Sequence, residues 1–195
     1  MLEVLLIRPG STTFDVEGRI KGALDIPLSE QGQLQSEALA QSLMSTKLDC
    51  LYAAPSESAQ ASAKCIAEIN HCKLKTMDCL RNLDHGLWQG KLVSEVKRLQ
   101  PKVYRQFQDH PGAVCPPDGE TIQDAIDRLQ AAVSKVKKKH RNGRVGMVVP
   151  QPLASILRFV LVGGSLGDLW KAELDFGTYE LLKLEDSFEP TLVMA

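Results

Sequence analysis

The chain contains 195 residues, of which 44% are hydrophobic, and its formal net charge at pH 7 is -1. This length and composition are typical of one globular domain and exclude an intrinsically disordered segment. Lysines and arginines cluster between residues 135 and 144, but they follow a predicted helix, whose end favours solvated positive charge. With a nearly neutral chain, we do not expect nucleic acid as a partner.

Cysteine spacing and the N-terminal residues indicate the cellular compartment. The five cysteines do not form the close pairs of zinc or redox motifs, so we expect reduced packing residues. The four histidines lack ligand-like spacing, and we expect no metal and no cofactor. The apolar run at the N-terminus ends at Arg8, too early for a signal peptide or a membrane span. These features predict a cytoplasmic protein without membrane contact.

The first half of the chain alternates between strand and helix patterns. Residues 2–7 form an apolar run typical of a strand buried on both faces. Ser29 can cap a helix that ends near Met44, and residues 49–53 form a second strand pattern. From Pro55, an alanine-rich helix pattern continues to about residue 69. The apolar stripe predicted for the first helix consists of Leu34, Ala38, Leu39 and Leu43.

The second half repeats the alternation after a different kind of segment. Residues 80–117 are polar, aromatic and proline-rich, with one amphipathic stretch over 93–107, and we interpret them as a lid insertion. A buried strand over 145–149, a helix from Pro152 to Val162 and a strand over 179–184 follow. The alternation predicts an α/β fold of one domain over residues 1–195, a three-layer α/β/α sandwich with a mostly parallel central sheet.

Three separated motifs occur in a fixed order. The first extends from Arg8 to Gln35, the second from Leu80 to Gly90, and the third begins at Pro116 and ends at Arg128. Together they resemble the histidine phosphatase superfamily, which includes the phosphoglycerate mutases, and the resemblance covers essentially the whole chain. The residues that carry the first motif are Arg8, Pro9, Gly10, Thr12, Asp15, Arg19, Gly22, Asp25, Pro27, Leu28, Ser29, Gly32 and Gln35.

The residues at the family's catalytic positions differ from those that the resemblance implies. The family's nucleophile is a histidine that becomes a phosphohistidine, and Pro9 occupies its position. Ser58 stands for a second phosphate-binding arginine, and Asn82 for the acid that protonates the leaving group. A second histidine corresponds to Gln151 or to Pro150. The chain is thus identified as a degenerate member of the family without its catalytic histidines.

These replacements predict a pseudoenzyme with a vestigial phosphate pocket. The pocket residues that the resemblance implies are Arg8, Asp15, Ser58 and Arg19. Loss of a nucleophile from a covalent mechanism lowers turnover on the order of a million-fold. Asp15 replaces a neutral asparagine of the family, and we expect it to pair with Arg8 and close the pocket to anions.

Other functions stay open at this point. The alternative is an active phosphatase or mutase that acts on phosphorylated metabolites with a rearranged site. A third possibility is a subunit that regulates an active relative, as a protein partner or in a homo-oligomer. A small phosphorylated or anionic ligand is also compatible with the fold. His85 precedes Gly86, where the family often has an aromatic residue or histidine, and we expect it to pack rather than act as a base.

Overall fold

The computed structural model describes residues 1–172 and 175–184 and contains a five-stranded sheet. The strand order is β3-β2-β4-β1-β5; the first four strands in this order are parallel, and β5 is antiparallel to β1. The prediction of a mostly parallel sheet is confirmed. The strands are β1 (Leu2–Ile7), β2 (Cys50–Ala53), β3 (Leu74–Thr76), β4 (Gly143–Val148) and β5 (Tyr179–Lys183).

Helices connect these strands and cover the sheet. The helices are α1 (Thr13–Glu17), α2 (Glu30–Ser42), α3 (Glu57–Asn70), α4 (Val93–Leu99), α5 (Pro101–Asp109), α6 (Ile122–Lys139), α7 (Leu153–Val162) and α8 (Leu169–Ala172). Within the described ranges, no helix is long and apolar enough to cross a bilayer.

The order of the strands determines the face on which each helix lies. From β1 to β2 and from β2 to β3 the chain moves in one direction across the sheet, and from β3 to β4 it moves back. Because parallel crossovers are right-handed, the reversal places α2 and α3 on one face and α6 on the other. α7 packs against α6. The loops after the neighbouring strands β1 and β4 therefore lead to opposite faces, which opens a crevice at the carboxyl ends of these strands.

The predicted apolar stripe of α2 is partly wrong. Leu34 is 67% exposed and Ala38 is also exposed, whereas Gly32 and Ser36 lie on the buried face with Leu39. A side chain at Gly32 would clash with the backbone of Ser11, at 1.9 Å from its carbonyl oxygen. The helix lies so close to the first loop that small residues, rather than leucine, form its contact face. Its predicted cap is confirmed, since the Ser29 hydroxyl accepts from the Gly32 amide.

The predicted lid insertion is held by an aromatic cluster. The amphipathic stretch over 93–107 forms two helices, because Pro101 begins α5. Trp170 on α8 stacks on Tyr104 of α5, with ring centroids 5.3 Å apart, and Phe107 lies 4.9 Å from the same indole. On the other side, His85 is parallel to Trp170 within 11°. These contacts fix the segment to the body of the domain.

Candidate functional site

The candidate site begins with the loop after β1. Gly10 lies against α2, and a Cβ atom there would be 2.0 Å from the Gly32 carbonyl oxygen. Its amide donates to the hydroxyl of Ser62 on α3. The loop is therefore packed tightly between two helices, and its glycine is required by the close approach of the backbones.

Pro9 is buried in this loop, and its only hydrogen-bonding group is its carbonyl oxygen. Its carbonyl oxygen accepts a hydrogen bond from the Gly177 amide at 2.9 Å. A proline ring has no lone pair to attack phosphorus and no backbone N–H to donate. The structure therefore offers no nucleophile at the position that the resemblance assigns to one.

Arg8 is held by one carboxylate in strand β5 and one just before it, and its predicted pairing with Asp15 is wrong. Its Nε atom lies 2.9 Å from Oδ2 of Asp175, and Nη2 lies 3.7 Å from Oε2 of Glu180. The Nε atom of Arg8 has no partner in hydrogen-bonding geometry. Its contact with Asp175 is therefore an electrostatic attraction between the two charges. The antiparallel pairing of β1 with β5 brings Glu180 to this place, opposite Leu6. The Arg8 side chain is only 10% exposed.

Asp15 pairs instead with Lys21, a residue that the sequence analysis did not single out. The Lys21 ammonium lies 2.6 Å from Oδ1 of Asp15, and the two side chains are 7% and 5% exposed. Oδ2 of Asp15 accepts from the amide and the hydroxyl of Thr12 at the start of α1. A signal was present in the sequence, because the resemblance implies a neutral asparagine at position 15, whereas this chain has an aspartate there and a lysine at position 21.

Arg19 lines a second cavity together with Asp15, separate from the cavity that contains Ser58. Its Nε atom donates to Glu17, and its Nη1 atom donates to the Gly90 carbonyl at 2.8 Å. The side chain is 39% exposed. Arg19 thus ties the first loop to the second motif, outside the cavity that contains Ser58.

Asn82 joins three loops of the site. Its Nδ2 donates to the carbonyl oxygens of Gly22 at 2.9 Å and Gln151 at 2.8 Å, and its Oδ1 accepts from the Leu153 amide. The residue is 3% exposed. All three hydrogen bonds of its side chain are made to backbone atoms. A carboxamide has no titratable proton, so this side chain can fix the loops but cannot act as a general acid.

Gln151 and Pro150 follow β4 on the opposite side of the crevice. The Oε1 atom of Gln151 accepts from both the amide and the hydroxyl of Ser155, which turns the side chain toward α7. Pro150 lines the cavity. Neither side chain can carry positive charge toward a phosphoryl group.

A cavity of about 170 Å³ lies between these loops. Its polar wall contains Lys21 and Ser58, and no histidine lines it within the described ranges. The full set of lining residues is Thr12, Lys21, Gly22, Ala23, Leu24, Asp25, Ile26, Pro55, Ser56, Ser58, Arg81, Asn82 and Pro150. Of the predicted pocket residues, only Ser58 belongs to this wall.

His85 lies near the site but is enclosed by the aromatic cluster. It is completely buried, and neither ring nitrogen has a hydrogen-bond partner. Burial lowers its pKa to about 4; the Lys21 charge acts in the same direction, and Asp84 opposes both. The imidazole is therefore neutral near pH 7 and packs as an aromatic residue.

The remaining titratable groups do not form a metal centre. Among residues 1–172 and 175–184, no group of three or more histidine, cysteine, aspartate or glutamate side chains could hold a metal ion. All five cysteines are free thiols. Cys50 is buried in the core and Cys65 and Cys72 pack against it, so the expectation of packing residues is confirmed for these three, whereas Cys115 is exposed and does not fit it.

Comparison with known proteins identifies close similarity over the whole chain. Residues 4–193 match the model of the histidine phosphatase superfamily (branch 1). Phosphoserine phosphatase 1 of Hydrogenobacter thermophilus is 30% identical over 186 residues, which are 95% of this chain and 88% of that protein. The α-ribazole phosphatase of Shigella flexneri has a TM-score of 0.81 at 20% identity, over 98% of this chain and 95% of that one.

A second similar structure contains a bound ligand. It is a histidine-to-alanine mutant of phosphoserine phosphatase from Entamoeba histolytica in complex with phosphoserine. The TM-score is 0.77 at 23% identity, and the alignment covers 93% of this chain and 90% of that one.

Proposed function

Because this chain belongs to the histidine phosphatase superfamily, we propose that it keeps the fold and the cavity of the family as a binding protein without phosphohistidine chemistry. One observation carries the proposal: Pro9, with no nucleophilic atom, stands where the resemblance assigns the attacking histidine. The pairing of Arg8 with Asp175 and Glu180 supports it, since carboxylates of the protein already neutralise this guanidinium.

The electrostatics of the site also support a binding role. In an enzyme of this type, donors and positive charge must face the phosphoryl group to stabilise the transition state. Here the buried ammonium of Lys21 forms an ion pair with Asp15. The side-chain amide of Asn82 donates both of its hydrogen bonds to backbone carbonyl oxygens. The groups that would stabilise a transferring phosphoryl group are already bound to the protein itself.

The second candidate function is an active phosphatase, and the names of the relatives favour it over a pseudoenzyme. The 30% identical relative from Hydrogenobacter thermophilus is named a phosphoserine phosphatase, and the similar solved structures include further phosphatases. An enzyme of this kind would need a nucleophile other than a histidine at position 9. Ser58 lines the cavity, but no basic partner hydrogen-bonds to its hydroxyl within the described part of the chain.

A turnover assay separates the two candidates. Purified protein is incubated with phosphoserine and a panel of phosphomonoesters, and released phosphate is measured against a heat-denatured sample. The binding protein should release phosphate no faster than the denatured control. Turnover that persists through further purification steps would establish the phosphatase and remove the proposal.

A further inference from the structure

Two lysine side chains meet beside the end of α6. Lys75 lies on β3, paired in register with Tyr52 of β2, and Lys139 is the last residue of α6. The side chain of Lys75 is in hydrogen-bonding contact with that of Lys139, and this contact lowers the pKa of Lys75. Among the residues that the structure describes, neither of the two side chains forms an ion pair.

A tyrosine and a histidine lie at the same place. The Tyr52 hydroxyl is 2.9 Å from Nε2 of His140, and Nζ of Lys75 is 5.8 Å from the centre of the Tyr52 ring. Burial raises the pKa of Tyr52 to about 12, so the phenol keeps its proton and donates to the imidazole. Burial lowers the pKa of His140, and Lys139 and Lys75 act in the same direction. The neutral imidazole therefore carries its proton on Nδ1 and adds a third donor.

The positive charge of this place is not balanced by the described carboxylates around it. Two ammonium groups in contact repel each other, and the dipole at the end of α6 favours a cation there without requiring two in contact. Asp49 accepts from the Arg144 amide at 2.8 Å, and Glu3 lies 2.7 Å from the Arg144 guanidinium. Exposed cations adjacent along the chain to the two lysines or to His140 are Lys73, Lys138 and Arg141.

The position of β3 in the sheet indicates the shape of a partner. β3 is an edge strand with β2 on one side, and no strand of the described chain pairs with its other side. An extended peptide can add to such an edge, with every second side chain on the same face. Lysine on an edge strand discourages pairing with neutral or basic strands, which restricts the partner to an acidic one.

The overall charge of the chain indicates the size of the partner. Nucleic-acid-binding domains are generally basic over a large surface, whereas this chain has a net charge of -1. A long polyanion would therefore meet repulsion outside the small positive area. A short acidic segment of a protein fits the area better, because its carboxylates are confined to the length of β3.

We propose that the free edge of β3 and the end of α6 bind an extended acidic segment of a partner protein. The segment pairs with the backbone of β3, and carboxylates at alternate positions contact Lys75 and Lys139. Neither lysine lines the cavity that contains Ser58, so the inference goes beyond the proposed function and does not depend on it.

Calorimetric titration with a short peptide of alternating glutamate and threonine tests the surface. The glutamate peptide should bind, and the peptide with glutamine in place of glutamate should bind about tenfold more weakly or less, because it lacks the charge. The double variant Lys75→Gln with Lys139→Gln should lose affinity for the glutamate peptide by a similar factor. Lys91→Gln with Lys102→Gln removes the same charge from exposed positions elsewhere and should leave the affinity unchanged.

A stability measurement separates lost binding from lost folding. Substitution of Lys75 and Lys139 removes a repulsion between like charges, so the free energy of unfolding of the double variant should equal or exceed that of the wild type. NMR on the unaltered protein gives a second test. The glutamate peptide should shift the amide resonances of Leu74 and Thr76 and raise the pKa of His140, since it brings negative charge to the imidazole.

Several outcomes would overturn the inference. These are equal affinities for the two peptides, equal affinities of the wild type and the Lys75/Lys139 variant, and β3 resonances that do not respond to the glutamate peptide. Tighter binding of a DNA oligonucleotide of the same charge would assign the surface to nucleic acid instead. Self-association of the protein that the double variant abolishes would assign it to a second copy of this chain.

Discussion

The ammonium of Lys21 and the carboxylate of Asp15 form an ion pair 2.6 Å apart, with both side chains more than nine-tenths buried. The family resemblance implies a neutral asparagine at position 15, so the negative charge of Asp15 departs from it, and Lys21 supplies the positive charge that balances it. Removal of one partner from a buried ion pair destabilises the folded protein, because the remaining charge has lost its hydration and has no counter-charge. The two residues therefore depend on each other.

We expect Asp15→Asn to lower the free energy of unfolding by about 3 kcal/mol, since Lys21 would stay buried without a counter-charge. The double variant Asp15→Asn with Lys21→Gln should recover most of this loss. Urea unfolding measures the free energy of unfolding of the single and the double variant. Glu17→Gln breaks the exposed pair with Arg19 and should change stability by less than about 1 kcal/mol. A double variant no more stable than Asp15→Asn would contradict the coupling.

The buried imidazole of His85 predicts a pH dependence of stability. Its pKa is lowered to about 4 in the folded protein, whereas in the unfolded chain it titrates near 6.5. The unfolded state therefore takes up a proton first, and stability is lost as the pH falls from about 6.5 toward 4. Between pH 7 and pH 5 the loss from this one group should be roughly 2 kcal/mol.

A phenylalanine at the same position isolates this effect. His85→Phe keeps an aromatic ring in the cluster with Trp170 and removes the titration, so its stability should change less between pH 7 and pH 5 than that of the wild type. Denaturant unfolding at the two pH values gives the comparison. The exposed His110 provides the control, and His110→Gln should retain the wild-type pH dependence.

Asn82 predicts a structural rather than catalytic effect. Asn82→Ala removes three hydrogen bonds and leaves the carbonyls of Gly22 and Gln151 without this donor, at a cost of about 2–4 kcal/mol. Thermal and denaturant unfolding measure it. Asn70→Ala, which removes one partly exposed bond to the Ile66 carbonyl, should cost about 1 kcal/mol or less. Equal effects of the two substitutions would disagree with the role of Asn82 in joining three loops.

Introduction of a histidine at position 9 should not produce catalysis. Pro9→His supplies a nucleophile, but Arg8 would still face Asp175 and Glu180, and Ser58 and Asn82 would still stand where the resemblance implies an arginine and an acid. We expect phosphoserine hydrolysis by this variant to stay at the level of the denatured control. Formation of phosphohistidine, detected by mass spectrometry under neutral conditions, would show that the single replacement was sufficient.

The sequence predicts most of the fold because its elements depend on local patterns. The apolar run over 2–7, the cap at Ser29 and the proline-initiated helix after Gln151 each involve residues that are neighbours along the chain. The stripe of α2 was predicted less well, since the burial of Gly32 instead of Leu34 depends on the approach of the loop at Ser11. Because Ser11 and Gly32 are not neighbours along the chain, a local sequence pattern cannot predict this contact.

What the sequence by itself determined is the order of the elements, the likeness to one superfamily and the presence of a proline at position 9, to which the resemblance assigns a nucleophile. These follow from residue identity and from spacing along the chain. Only the tertiary structure decided that Arg8 pairs with Asp175 rather than Asp15, that Asn82 joins backbone 60 and 69 residues away, and that the start of α3 faces the cavity. The physical reason is that charges and hydrogen-bonding groups select their partners by distance in space, and the crossing of strands and helices sets those distances.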